Sequence, residues 1–191
     1  WFRRISPVSF NLSAVYVDLG WEVDLSPLRD LAAALHVPLH VERTAISRIV
    51  FEKRQEKNPC SLCAKLRRGA LNQAALTLGA RKVALGHHLD DAIETFFLNL
   101  IYTGQMGTFT PSVFLDRTAI TTIRPLIQLP GDTVAALARR ERLPVLKNPC
   151  PASEHTCRQE MKELVEELDR RYPGFRYKFR AALLNSSFWT E

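Results

Sequence analysis

No stretch of this sequence approaches the ~20 apolar residues that a membrane-spanning helix needs, so no transmembrane segment and no membrane partner are expected. A secretory leader is missing as well: Trp1-Phe2-Arg3-Arg4 has the wrong flanks, and no cleavage-site pattern is present after it. The expected compartment is therefore the cytoplasm. Residue 1 is not Met, and we expect the native start to lie upstream. There is no internal repeat and no low-complexity segment, which excludes a solenoid array. Cysteine is scarce, with only Cys60, Cys63, Cys150 and Cys157. That excludes a dense disulfide framework, and the Cys-x-x-Cys spacing of the first two points to metal or redox chemistry.

What remains is ordinary globular composition: 191 residues, 46% hydrophobic and 24% charged, enough for an α/β domain with a core. The formal charge of +6 favours a polyanionic partner, though many basic proteins bind no nucleic acid.

Short apolar runs alternate with amphipathic stretches, the pattern of a parallel sheet covered by helices. Strands are expected at 13–18, 38–42, 82–86 and 119–123, with a short extended segment at 144–147. Helices are expected at 25–35, with Ser26 as N-cap and Pro27 in first position, and at 63–78, 90–102, 132–142, 154–171 and 175–184. Residues 103–117 are rich in Gly and Thr without a clear period, and a mobile loop is expected there. Residues 52–58 are charged and read as an exposed approach to the cysteines.

Three constellations carry chemistry. In Asn58-Pro59-Cys60-Ser61-Leu62-Cys63, two thiolates can reach one metal or cluster, and the start of a helix favours the thiolate form. Asn148-Pro149-Cys150-Pro151 repeats the Asn-Pro-Cys pattern. Cys157 or His155 would complete a four-ligand zinc site, whereas three cysteines would leave one iron of a cluster open. The bland alternative is that the cysteines pack as small hydrophobes. Leu85-Gly86-His87-His88-Leu89-Asp90-Asp91-Ala92-Ile93-Glu94-Thr95 joins a strand end to a helix start, where open α/β sheets bind ligands. Gly86 would let a nucleotide approach the backbone, and the carboxylates would hold Mg²⁺ on its phosphates. The alternative is a capping box with Asp91 as cap and Glu94 reaching back. Finally, the basic and aromatic residues 170–180 could track a phosphate backbone, or form two helices meeting at a Pro-Gly turn. Lys65, Arg67 and Arg68 form a second basic cluster.

Taken together, these stretches resemble the family that makes 2-thiocytidine in tRNA. The resemblance rests on Cys60-Ser61-Leu62-Cys63-Ala64-Lys65-Leu66-Arg67-Arg68-Gly69, Leu85-Gly86-His87-His88-Leu89-Asp90-Asp91, Ile123-Arg124-Pro125-Leu126, Asn148-Pro149-Cys150-Pro151 and Arg171-Tyr172-Pro173-Gly174, in that order. It implies an adenine-nucleotide α-hydrolase-like (PP-loop) fold, a parallel sheet with helices on both faces. It also implies an ATP- and Mg²⁺-dependent sulfurtransferase with a 4Fe-4S cluster, acting on a cytidine of the tRNA anticodon loop. Carried over, the cluster ligands are Cys60, Cys63 and Cys150, with Cys157 outside the set. Asp90 and Asp91 fall where catalytic metal and nucleotide contacts lie. Val17 and Asp18 fall near the adenine, with Gly86 and His87 beside the nucleotide. The tRNA would meet Lys65, Arg67, Arg68, Arg171, Arg176 and Lys178. A cysteine desulfurase or other sulfur donor is the implied partner, and a homodimer is compatible with the pattern.

One departure is large. The family's phosphate-cradling Ser-Gly-Gly-x-Asp-Ser loop occurs nowhere in the sequence, and the strand leading into it is missing too. The expectation is a fragment, inactive by itself: an incomplete PP-loop domain over 1–150 lacking its first, central strand, and a C-terminal helical extension over 151–191. A 2-thiouridine-forming relative and a non-catalytic metal- or tRNA-binding domain remain open at this point.

Overall fold

The computed structural model describes residues 2–55, 58–152 and 156–189. These fall into two compact units. The first comprises residues 1–74 and 144–149, the second residues 75–143 and 150–191.

The first unit opens with a short helix α1 (Phe2–Ile5) and a β-α-β element. Strand β1 (Ala14–Asp18, Ala-Val-Tyr-Val-Asp) is rich in β-branched and aromatic side chains, which suit a pleated, half-buried surface. It pairs in parallel with β2 (Leu39–Arg43), and α2 (Ser26–Ala34) makes the crossover. Here the expected cap is displaced by one residue. Ser26 is already helical, and its N–H donates to Asp24 Oδ1 at 2.9 Å. The end of β1 is tied down by Thr44, whose N–H and hydroxyl both donate to the Asp18 carbonyl at 2.9 and 2.7 Å. Gly20 comes next at φ +94°, and a Cβ there would lie 3.0 Å from Ser47 Oγ and 3.1 Å from the Thr44 carbonyl. Glycine is the residue that fits both the left-handed backbone and this close approach. A short helix α3 (Ile46–Arg48) runs on into a π-helical segment (Ile49–Arg54), which ends at Gln55 in a left-handed conformation. Of the expected charged approach, 56–57 lie outside the described residues.

Helix α4 (Pro59–Thr77) begins four residues earlier than its apolar period indicates. Asn58 and Pro59 explain this. Proline is preorganised for the first helical position, and Asn58 Oδ1 accepts the Ser61 N–H at 3.4 Å. Its last three residues are counted with the second unit.

In the second unit, β3 (Lys82–Ala84) pairs in parallel with β5 (Ile120–Ile123), and β4 (Ser112–Leu115) pairs with β5 antiparallel. This corrects the mobile loop expected at 103–117. Val113 and Leu115 are half-buried while Ser112 and Phe114 are exposed. Four residues of alternation are too few to stand out in the sequence, and the pairing with β5 supplies the order. No strand forms at 144–147 among the described residues. Helices α5 (Leu89–Thr103) and α6 (Gly131–Arg140) flank this sheet in the chain. They are followed by α7 (Cys157–Arg171) and α8 (Phe175–Asn185), with Gly174 at φ +80° making the turn between α7 and α8. Leu89, Ile93 and Val165 form one fully buried cluster, packed by Phe97, Phe175, Phe179 and Trp189. Ala92, Ile127 and Leu183 form a second beneath Phe109 and Phe188. The C-terminal helices are thus part of this unit's core.

β1 and β3 each have a single strand partner among the described residues, in two separate sheets. No described helix is long and apolar enough to cross a membrane.

Candidate functional site

Cys60 and Cys63 occupy the first turns of α4. Three residues apart on a helix, they share one face, near the positive end of the helix dipole, which favours thiolate. Cys60 is exposed and Cys63 half-buried, and neither is in a disulfide. Behind them on the same helix, Lys65, Arg67 and Arg68 are all exposed. Cys150 is half-buried in irregular backbone of the second unit, and Cys157 is exposed at the first position of α7. His155 lies outside the described residues. No group of three or more His, Cys, Asp or Glu side chains suited to a metal ion occurs among the described residues.

The first unit carries a cleft of about 200 Å³ at the C-terminal end of β1. It brings together Val17, Asp18 and Arg67, three residues singled out in the sequence. It adds Tyr16, Trp21 and Lys147, which the sequence pattern did not mark. Burial first, and the Asp18 charge second, push the Tyr16 phenol above its usual range. Aromatic faces beside two cations and a carboxylate suit a planar, phosphate-bearing ligand.

In the second unit the segment after β3 is held in detail. Gly86 is exposed, and the space where its Cβ would lie is open. His87 stacks on Phe109 at 4.9 Å and accepts from Arg124 Nε at 3.3 Å. Arg124 also lies over the Phe109 ring at 4.7 Å and donates to the Thr110 carbonyl at 2.6 Å. Burial holds His87 below the usual imidazole range, against the pull of Asp91. This environment favours the neutral ring.

His88 caps α5, and its N–H donates to Asp91 Oδ2 at 2.9 Å. The capping-box alternative is therefore realised one turn earlier than expected. Asp91 is the acid that reaches back, not the cap, because the extended His88 backbone ends the strand-to-helix turn. Asp91 and Glu94 face a second cleft, of about 280 Å³, with His88, Arg158 and Lys162. Arg158 Nη1 lies 3.1 Å from Asp91 Oδ1 and 3.4 Å from Glu94 Oε2. Burial pushes Glu94 up to about 7, and the Arg158 charge offsets part of this. Asp90 is turned away from that cleft. Its Oδ1 accepts from Arg176 Nε at 2.5 Å and its Oδ2 from the Gly131 N–H at 2.6 Å. Of the other cations singled out in the sequence, Arg171 and Lys178 are exposed at the end of α7 and on α8. Arg158 had no period or motif to mark it, and only its position on α7 opposite two carboxylates gives it a role.

Among known proteins, the PP-loop domain family matches residues 21–168. The chain is 38% identical over 187 residues to the tRNA-cytidine(32) 2-sulfurtransferase of Pelobacter propionicus, covering 96% of this chain and 70% of that protein. It is 40% identical over 180 residues to the tRNA-cytidine(32) 2-sulfurtransferase of Bordetella petrii, covering 90% and 54% respectively. The solved U34-tRNA thiolase NcsA from Methanococcus maripaludis, with its 4Fe-4S cluster, has a similar fold. The TM-score is 0.74 at 23% identity, covering 96% of this chain and 64% of that one.

Proposed function

We propose, since the chain belongs to the PP-loop domain family and within it to the tRNA-cytidine(32) 2-sulfurtransferases, that the whole protein replaces the C2 oxygen of a tRNA cytidine with sulfur, using ATP. The observation that carries this reading is the thiol pair Cys60 and Cys63 in the first turns of α4, with Lys65, Arg67 and Arg68 exposed behind it. A metal-binding face and a polyanion-binding face on one rigid helix fit a reaction on RNA.

Two soft thiolates on one helix face suit iron–sulfur ligation, with Cys150 as the third ligand implied by the family pattern. Bound there, a 4Fe-4S cluster with one open iron would hold sulfide as a nucleophile. The cleft at the end of β1, with Tyr16, Val17, Asp18 and Trp21, would take the adenine of ATP. The exposed backbone at Gly86 leaves room for close approach of the nucleotide. Asp91, one of two carboxylates facing the second cleft, would hold Mg²⁺ together with nucleotide phosphates. Mg²⁺ commonly uses only one or two protein carboxylates. The chemical logic is that the cytidine C2 oxygen leaves poorly by itself. Once adenylated it departs as AMP, and sulfur takes its place. A cysteine desulfurase or another sulfur donor would renew the sulfur. The proposed setting is the cytoplasm, with a homodimer as a compatible assembly.

The test is anaerobic purification of the whole protein, incubation with tRNA, ATP, Mg²⁺ and a sulfide source, and nucleoside analysis. We expect iron bound to the protein and 2-thiocytidine in the digest. Stoichiometric zinc without iron, or 2-thiouridine in place of 2-thiocytidine, would overturn the reading.

A further inference from the structure

The Arg170–Arg180 segment reads in the sequence as one basic surface, yet one of its cations is enclosed. Arg176, in the first turn of α8, leaves only 18% of its side chain exposed. Its Nε meets Asp90 Oδ1 at 2.5 Å, and its Nη1 pairs with Asp169 of α7. The Arg176 N–H also points to Asp169 Oδ1 at 3.4 Å. Both ends of the guanidinium are thus taken by carboxylates. A phosphate contact would have to displace one of them and leave a half-buried acid unpaired.

From Asp90 the contacts continue inward. Its second oxygen accepts the Gly131 N–H at 2.6 Å, and a Cβ on Gly131 would sit 3.0 Å from His88 Cε1 and 3.2 Å from Asp90 Oδ2. The start of α6 is packed directly on the start of α5. Asp90 is therefore gripped from α8 on one side and α6 on the other. Its neighbour Asp91, displaced by about 100° around the helix, faces the cleft with Glu94 and Arg158.

We propose that Arg176 is a positioning residue rather than an RNA contact: it holds Asp90 inward and so fixes the first turn of α5, with Asp91 presented to the cleft. This rests on the sulfurtransferase reading only in assigning Asp91 a task. The grip on Asp90 stands apart from it.

The experiment compares Arg176→Met, Arg176→Lys and Asp169→Asn in the whole protein, with Lys178→Met as the reference for loss of an exposed cation. Thiolation kcat, tRNA Kd and the salt dependence of Kd are measured for each. Arg176→Met should lower kcat on the order of tenfold or more, because a charge-assisted bond is lost and the acid is left unpaired. Its tRNA Kd and salt slope should stay within about twofold of wild type, since no phosphate contact is removed. Arg176→Lys should recover part of kcat. Wild-type kcat in Arg176→Met, with a salt slope reduced as in Lys178→Met, would overturn the proposal. If the Arg176 variants do not fold, Asp169→Asn decides. It removes one anchor while keeping the Asp90 contact, and a lower kcat at unchanged salt slope supports the proposal, whereas wild-type kcat overturns it. Melting temperatures of Asp90→Asn, Arg176→Met and the double variant complete the set. A double variant no less stable than the weaker single supports the grip, and strictly additive losses overturn it. That cycle reads out even if wild-type protein makes no thiolated nucleoside, an outcome that would sink the function and not the grip.

Discussion

Asn58-Pro59-Cys60 opens a 19-residue helix, whereas Asn148-Pro149-Cys150 leads into irregular backbone and a turn. The tripeptides are identical, so the difference lies in the residues on their C-terminal side. Cys60 is succeeded by Ser61-Leu62-Cys63, which accept helical angles. Cys150 is succeeded by Pro151, whose ring pushes the preceding residue out of the helical region. One copy therefore presents its thiol from a rigid rod with a companion one turn on. The other presents its thiol from a chain segment that carries a proline on either side of it. A motif of this kind fixes chemistry, and the residue after it fixes geometry.

The largest test of this contrast is ligand removal. Cys60→Ala, Cys63→Ala and Cys150→Ala are each expected to abolish bound iron in anaerobically purified whole protein, read by iron and sulfide analysis. Cys157→Ala should retain it. If Cys150→Ala keeps full iron, the two copies are unequal in function as well as in shape. Next in size is the polyanion contact, which the helix-borne copy has at hand. Neutralising Lys65, Arg67 and Arg68 together should reduce the slope of log K against log salt for tRNA by about 2 to 3, and Lys147→Ala beside the second copy by about 1. Equal slopes in all variants would take both copies out of the RNA-binding surface. A smaller effect separates the two asparagines. Asn58→Ala should cost about 0.5–1 kcal/mol in urea unfolding, since it caps a helix through a long bond. Asn148→Ala begins no helix and should cost less than about 0.5 kcal/mol. The smallest concerns the prolines. Pro59→Ala should be nearly neutral, because alanine also suits a first helical position. Pro151→Ala should lose about 0.4–1 kcal/mol by loosening the unfolded chain, and a gain in stability would show that the restraint is strained in the folded protein.

The sequence disclosed the β-α-β framework and five of the longer helices, because apolar period and turn residues are local signals. Helix α4 was recognisable from Cys63 to Leu78, yet its start at Pro59 needed the asparagine cap rather than the period. Strand β4 escaped because its order comes from β5 and not from its own four residues. At the sites, Val17, Asp18 and Arg67 were each marked in the sequence and meet in one cleft, but Trp21 and Lys147, which join them there, carry no pattern. The pair Asp90 and Asp91 was visible as two acids at a helix start. That one turns inward and the other outward depends on Arg176 and Arg158, which lie 86 and 67 residues further along the chain. Contacts of that span leave no local trace.

That span also has a meaning in time. A ribosome adds about 5–20 residues per second, so roughly 4–17 s pass between the synthesis of Asp90 and of Arg176, its partner 86 residues on. Throughout that interval the nascent α5 carries an acid whose eventual burial has no counter-charge. Leu89 and Ile93, on either side of it, await the aromatic cover of Phe175 and Phe179 from the same late helix. The newborn chain therefore cannot settle this unit in the order in which it emerges. Helix α8 closes the work of α5, and a stop codon before Phe175 would release a polypeptide with that seam still open.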